Sequence, residues 1–237
     1  MLFIEYPKCS TCKKAKQWLE ENNLNYTDRH IKEESPTKEE LRVWHKQSGL
    51  ELKKFFNTSG LLYKEMNLKE KLGLKNDLPV LLVTGGSQGA KKLNQEVVNI
   101  LTNGKEKKYQ VVFVTGPKQY DTVIKGIREK GYNPQSLENV HILNYVYNME
   151  EYMAVADVII SRAGALSLTE ICVMGIPSII VPYPYAAENH QVYNAQIIQK
   201  AGAGEVILET ELTLQKLNDT LEKMIYDQSR LEKMRMK

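Results

Sequence analysis

From residue 79 onward the chain repeats one pattern, a short unbroken apolar run followed by a longer amphipathic stretch. The runs are PVLLV at 79–83, QVVFV at 110–114, VHIL at 140–143, DVII at 157–160, SIIV at 178–181 and EVIL at 205–208. A strand covered on both faces reads as a continuous apolar run instead of an alternation. The intervening stretches 93–101, 120–130, 166–174 and 189–200 carry apolar residues at helical spacing. Strands that alternate with helices bury both layers when the strands lie parallel and the helices cover the two faces. The pattern predicts an α/β fold, a doubly wound parallel sheet of six strands, with a last helix from 212 to the C-terminus.

The first 72 residues have a different texture. Leu2, Phe3 and Ile4 read as a strand, Ala15, Trp18 and Leu19 fall on one helical face, and 24–29 read as a second strand. Thr37 followed by Glu40 forms a capping box and starts another helix. Short helices fill the rest, so this part reads β-α-β followed by helices only. The boundary between the two parts is expected at 72–73, giving domains 1–72 and 73–237. No Pro- or Ser-rich linker marks it.

Bulk properties exclude several classes. Fourteen Lys and Arg face eleven Asp and Glu over 1–72, and 18 face 18 over 73–237. The excess is too small for a nucleic-acid surface. The N-terminus MLFIEYPKC lacks the pattern of a secretory signal. No apolar run approaches the roughly 20 residues that span a bilayer. Three cysteines do not make a disulfide framework, so a cytoplasmic protein is expected.

Two turns carry the candidate chemistry. The strand ending at Val83 runs into TGGSQGA at 84–90, a glycine-rich turn that opens a helix. Such a turn presents backbone N–H groups at the positive end of a helix, where phosphate binds, although a ligand-free tight turn fits the same residues. The strand ending at Ile160 runs into SRAGALSLTE at 161–170. Here a second helix start faces the same carboxyl edge, Ser167 offers a hydroxyl, and Glu170 lies one turn further along as an acceptor for a ribose diol. Two such loops suit a diphosphate better than one. A third segment, ENHQVYNA at 188–195, places polar groups before a helix, either as a capped start or as ligands for sugar hydroxyls.

GGSQGA, SRAGALSLTE and ENHQVYNA, in this order and spacing, resemble the donor-binding domain of the MurG-type glycosyltransferases, over about residues 68–237. The resemblance implies a Rossmann-like domain, one half of a GT-B enzyme of peptidoglycan synthesis that binds UDP-N-acetylglucosamine. It implies that Gly85, Gly86, Ser87 and Gln88 lie along the donor sugar and diphosphate. Gly164, Ala165, Leu166 and Ser167 would meet the phosphates or the uracil side, and Glu170 the ribose. His190, Gln191 and Asn194 would reach N-acetylglucosamine, with His190 standing where many relatives have a second glutamine. No cofactor or metal is implied. The family's acceptor-binding domain, with its membrane patch and catalytic base, has no counterpart in these residues. Donor binding without normal turnover is therefore expected, unless an acceptor domain assembles in trans.

Cys9 and Cys12 follow a strand and begin a helix whose N-terminus, with Lys8, Lys13 and Lys14, favours a thiolate at Cys9. The pair reads as a redox pair, an inert pair or half of a zinc site. Zinc fits worst, since Cys172 and the four histidines supply no second pair at ligand spacing. YPKCSTCKKAKQWLEENN, RHIKEESPTKEEL and KKFFNTSGLLYKE resemble the arsenate reductase and Spx family over 1–72. That implies a thioredoxin-like fold, here truncated before its last hairpin and helix, and leaves a thiol-redox protein or regulator as the alternative function. The two resemblances overlap at 69–72, which points to a chimeric reading frame joined in that stretch.

Overall fold

The computed structural model describes residues 1–7, 10–49, 67–86 and 90–237. The chain divides into two compact units, Met1–Phe55 and Phe56–Lys237. In the first unit β1 (Leu2–Glu5), α1 (Ser10–Glu21), β2 (Thr27–His30) and α2 (Lys38–Ser48) follow one another. β1 and β2 pair in parallel, Leu2 opposite Thr27 and Glu5 opposite His30, with α1 as the crossover that a parallel pair needs. β2 starts three residues later than expected. Asn23 turns left-handed after α1 (φ 52°) and Leu24 N–H closes back on the Leu19 carbonyl at 3.0 Å, which holds 22–24 in the helix's terminal turn.

The capping box at α2 forms as expected. Glu40 N–H donates to the Thr37 hydroxyl (3.2 Å) and Thr37 N–H to the Glu40 carboxylate (2.8 Å). Arg29 grips the same carboxylate with two nitrogens, at 2.8 and 3.2 Å. Among the described residues of this unit apolar cover is sparse. Of the face expected from Ala15, Trp18 and Leu19, only Leu19 is buried, Trp18 is 57% exposed, and α2 buries no residue.

Among the described residues the second unit opens with α3 (Leu68–Lys71) and then alternates. β3 (Val80–Thr84), α4 (Lys91–Leu101), β4 (Gln110–Val114), α5 (Tyr120–Glu129) and β5 (Val140–Leu143) come first. α6 (Met149–Val155), β6 (Val158–Ser161), α7 (Ala165–Met174), β7 (Ser178–Ile180), α8 (His190–Ala201) and β8 (Gly204–Val206) follow. α9 (Leu214–Ile225) and α10 (Gln228–Arg235) end it. All six expected strands lie in one sheet, ordered β5–β4–β3–β6–β7–β8, with every neighbouring pair parallel.

Alternate strand residues face opposite sides. Leu81, Val83, Val111, Phe113, Val158, Ile160 and Ile179 share one core with residues of α4, α5, α9 and α10. Val80, Leu82, Val112, Val114, Ile159 and Ile180 share the other with Leu68, Met153, Leu168, Ile171, Ala195 and Ile198. The sheet is thus covered on both faces, which is why its strands read as unbroken apolar runs. The α/β, Rossmann-like class expected from the sequence is observed.

Three details differ. β8 begins at Gly204, where a Cβ would lie 2.4 Å from Ser178 Oγ and 2.7 Å from Ser178 O, so the absent side chain lets β8 close on β7. The C-terminal helix breaks after Ile225, and Asp227 restarts it by accepting from Arg230 N–H at 2.9 Å. α6 had no counterpart in the sequence reading, because seven residues with two adjacent glutamates show too little periodicity. Upstream, Leu68 and Leu74 are buried in the second unit's core. The Gln110 amide holds 75–78 there, donating to Lys75 O (2.7 Å) and Leu78 O (3.1 Å) and accepting from Lys75 N–H (2.9 Å).

Candidate functional site

The winding of the sheet reverses at its centre. β3 leads outward to β4 and β5, and β6 leads the other way to β7 and β8. Thr84 lies opposite Ser161 in the register, so Gly85 and Arg162 leave the sheet side by side. The crevice outside the carboxyl ends at such a reversal is where open α/β sheets bind their ligands.

On the β3 side, Gly86 has φ 74°, a region that side-chain-bearing residues rarely adopt, and its N–H donates to Thr84 Oγ1 at 3.3 Å. Ser87 and Gln88 lie outside the described residues. α4 then starts after Ala90, which offers its first turn no side-chain cap. On the β6 side Gly164 stands before α7, again with no side-chain cap. Ala165 and Leu166 are exposed, Ser167 is half-buried, and Glu170 lies exposed one turn further along. An uncapped helix start carries partial positive charge on its free N–H groups, so two of them at one reversal point favour a polyanion.

The third segment closes the site from the β7 side. Glu188 and Asn189 both turn left-handed (φ 51° and 55°) immediately before α8. Gln191 Oε1 accepts from Ala163 N–H at 3.2 Å and from Tyr183 N–H at 3.0 Å, and Asn194 Nδ2 donates to Ala163 O at 3.1 Å. The two side chains expected to read a sugar therefore also fasten the turn after β6. His190 is exposed, with Nδ1 2.8 Å from the Ala187 carbonyl. A carbonyl only accepts, so this contact is a hydrogen bond when Nδ1 carries the proton.

Several residues at this edge were not singled out from the sequence. Arg162 is buried, donates to Val181 O (3.1 Å) and Pro182 O (3.3 Å), and forms an ion pair with Glu209. Its guanidinium lies 5.6 Å from the centre of the Tyr183 ring. A charged residue directly after an apolar strand was the available signal. Tyr145 and Tyr147, after β5, form an edge-to-face pair at 5.0 Å, and both are exposed. Nothing in their local spacing distinguishes them from loop residues.

The cysteines lie elsewhere. Cys12 sits in the first turn of α1, in the first unit, and Cys9 lies outside the described residues. Cys172, on α7, is exposed, and desolvation by the groups packed around its sulfur pushes its thiol pKa up. Among the described residues, no cluster of His, Cys, Asp and Glu could hold a metal ion, and no helix is long and apolar enough to cross a membrane.

The glycosyltransferase family 28 C-terminal domain matches residues 80–237, the whole of the described sheet and its loops. The chain belongs to this family. The glutaredoxin family matches residues 1–49. The UDP-N-acetylglucosamine–N-acetylmuramyl-(pentapeptide) pyrophosphoryl-undecaprenol N-acetylglucosamine transferase of Halothermothrix orenii is 39% identical over 213 residues, 90% of this chain and 55% of that protein. MurG of Acinetobacter baumannii superposes with a TM-score of 0.58 at 27% identity, covering 71% of this chain and 47% of that one. An ArsC family related protein from Bacteroides fragilis is 60% identical over 30% of this chain and 60% of that one, with a TM-score of 0.27. The chain spans about half the length of the curated transferases it matches. A family 28 C-terminal domain thus follows a glutaredoxin-like segment, as the two sequence resemblances had indicated.

Proposed function

We propose that the family 28 domain of this chain binds UDP-N-acetylglucosamine as the donor half of an inverting N-acetylglucosaminyltransferase. The observation that carries this reading is the meeting of three separately recognised segments at one reversal point of the sheet, with Gln191 and Asn194 bonded to Ala163. The helix starts at α4 and α7 suit the diphosphate, with Gly85 and Gly86 on one side and Gly164 to Ser167 on the other, and the family resemblance adds Ser87 and Gln88 as donor contacts. Glu170 accepts from the ribose diol, and His190, Gln191 and Asn194 face the sugar. The names of the matched transferases supply the identity of the donor.

Inverting transfer needs a base to deprotonate the acceptor while fixed dipoles stabilise the departing diphosphate. The residues above provide the second function. In this reading an acceptor-binding domain supplies the first. Leu68 and Leu74 pack into the core of this donor half.

Calorimetric titration of the full chain with UDP-N-acetylglucosamine, against UDP-glucose and NAD, tests the reading. Saturable binding selective for UDP-N-acetylglucosamine supports it, and no binding to folded protein overturns it. A second reading, thiol-redox chemistry at Cys9 and Cys12, is favoured by the glutaredoxin match over 1–49. A reversible disulfide between those two cysteines, with one thiol of low pKa, is its required signature.

A further inference from the structure

Three strand ends on one side of the reversal point converge on a single buried cation. Arg162 follows β6 and is 8% exposed. Its Nη1 donates to Val181 O and Pro182 O, the two residues that follow β7. Its Nη2 pairs with Glu209, in the turn after β8, where the carboxylate is also largely covered. The Tyr183 ring lies against the guanidinium, and Tyr183 N–H and Ala163 N–H share the Gln191 side-chain oxygen. Arg162 thus bonds to Pro182, the neighbour of Tyr183, while Gln191 joins Tyr183 to Ala163, the neighbour of Arg162.

This arrangement needs an arginine. The guanidinium is planar, carries its donors in a fixed fork, and stacks on an aromatic face, whereas a lysine ammonium is a point charge on a flexible stem. One ammonium cannot meet two carbonyls, a carboxylate and a ring together. Gln191 in turn has one side-chain oxygen, and holding it between two N–H groups requires Ala163 and Tyr183 to stay at a fixed separation. If the turn after β7 drifts, one of those bonds breaks and the Gln191 amide rotates.

We infer that Arg162, backed by Glu209, is a positioning residue that locks the turns after β6 and β7 together and thereby aims Gln191 at the sugar of a nucleotide-sugar ligand. This rests on the donor-site reading above. Arg162 touches no ligand in this scheme. It acts through Tyr183 and Gln191, so its effect falls on the sugar and not on the nucleoside diphosphate.

The experiment compares the full-length chain with Arg162→Lys, Glu209→Gln and Arg235→Met by calorimetry, using UDP-N-acetylglucosamine and UDP as separate ligands. Far-UV circular dichroism fixes a temperature at which each variant is folded. Arg235→Met is the stability control, because Arg235 pairs with Asp157 (2.9 Å) just before β6, at the opposite end of the strand from the site. The readout is the ratio of the two affinities, which loss of stability alone does not move. Arg162→Lys is expected to lower that ratio by about tenfold, the scale of a lost charge-assisted hydrogen bond. Glu209→Gln lowers it less, and Arg235→Met leaves it unchanged. Amide exchange at Tyr183 and Ala163 should quicken in Arg162→Lys relative to the β6 amides. A binding wild type whose ratio survives Arg162→Lys overturns the positioning role and leaves the donor site standing. A wild type that binds neither ligand overturns both.

Discussion

The two units of this chain hold the same kinds of element and differ in what those elements bury. In the first, two strands and two helices leave Leu19 as the sole buried apolar side chain among the described residues. Trp18, Leu41 and Val43 stay exposed, and order rests on polar devices such as the Thr37–Glu40 box and the Arg29 grip on Glu40. In the second, six strands lie between two helical layers and fill two cores. An amphipathic pattern is enough to shape a helix. Burial needs a partner layer, and a two-stranded sheet offers little area to cover.

Removing the Phe113 ring by Phe113→Ala should give the largest effect. It is fully buried in the core that the sheet shares with α4, α5, α9 and α10, and the loss is expected to cost about 3–5 kcal/mol. Both tryptophans, Trp18 and Trp44, lie in the first unit. Far-UV circular dichroism should therefore register the loss while tryptophan fluorescence keeps its own transition. A common shift of both probes would break the comparison by showing one cooperative body.

Glu170→Ala sharpens the functional side of the contrast. It removes an exposed carboxylate that makes no contact in either core, so the melting temperature should hold. Affinity for UDP-N-acetylglucosamine should fall by the about 1.5–3 kcal/mol of a charged hydrogen bond. Unchanged calorimetric affinity would remove Glu170 from the site.

Gly204→Ala tests how closely β8 is packed. The new Cβ would sit 2.9 Å from Ile198 Cγ2 as well as against Ser178, and a cost of about 1–3 kcal/mol is expected in thermal unfolding. Gly126→Ala in α5 is the counterpart. Its Cβ meets only Val98 Cγ1, at 3.9 Å, so the helix should gain up to about 1 kcal/mol.

The smallest effect belongs to the first unit. Arg29 and the Thr37 N–H hold the Glu40 carboxyl down at about 2, below the ordinary carboxylate range. A depressed folded pKa stabilises above the unfolded value, and that stabilisation is lost as pH falls through the carboxylate range toward about 2. Acid titration followed by Trp44 fluorescence should show this loss in the wild type and not in Glu40→Gln. Identical curves would mean that the grip contributes nothing.

The pattern of apolar runs was sufficient for the parallel, two-faced sheet, because a strand covered on both sides cannot alternate in polarity. The capping box at Thr37 and Glu40 was equally legible, since its partners lie three residues apart. The left-handed turn that delays β2 and the break before Asp227 depend on hydrogen bonds that no periodicity records.

At the candidate site the sequence named the glycine turn, the second turn and the 188–195 segment, each from local chemistry. The shared carboxyl edge of the first two followed from a parallel sheet, but which strand ends are neighbours did not. Strand order brings residues 85 and 162 together across 77 positions, and only the tertiary structure sets Gln191 and Asn194 on Ala163. Arg162 shows the limit most clearly. A charge after a strand reads as solvated until Val181, Pro182, Tyr183 and Glu209 close around it, and those partners arrive from other strand ends. Local order follows from near neighbours along the chain, and recognition surfaces follow from neighbours across the sheet.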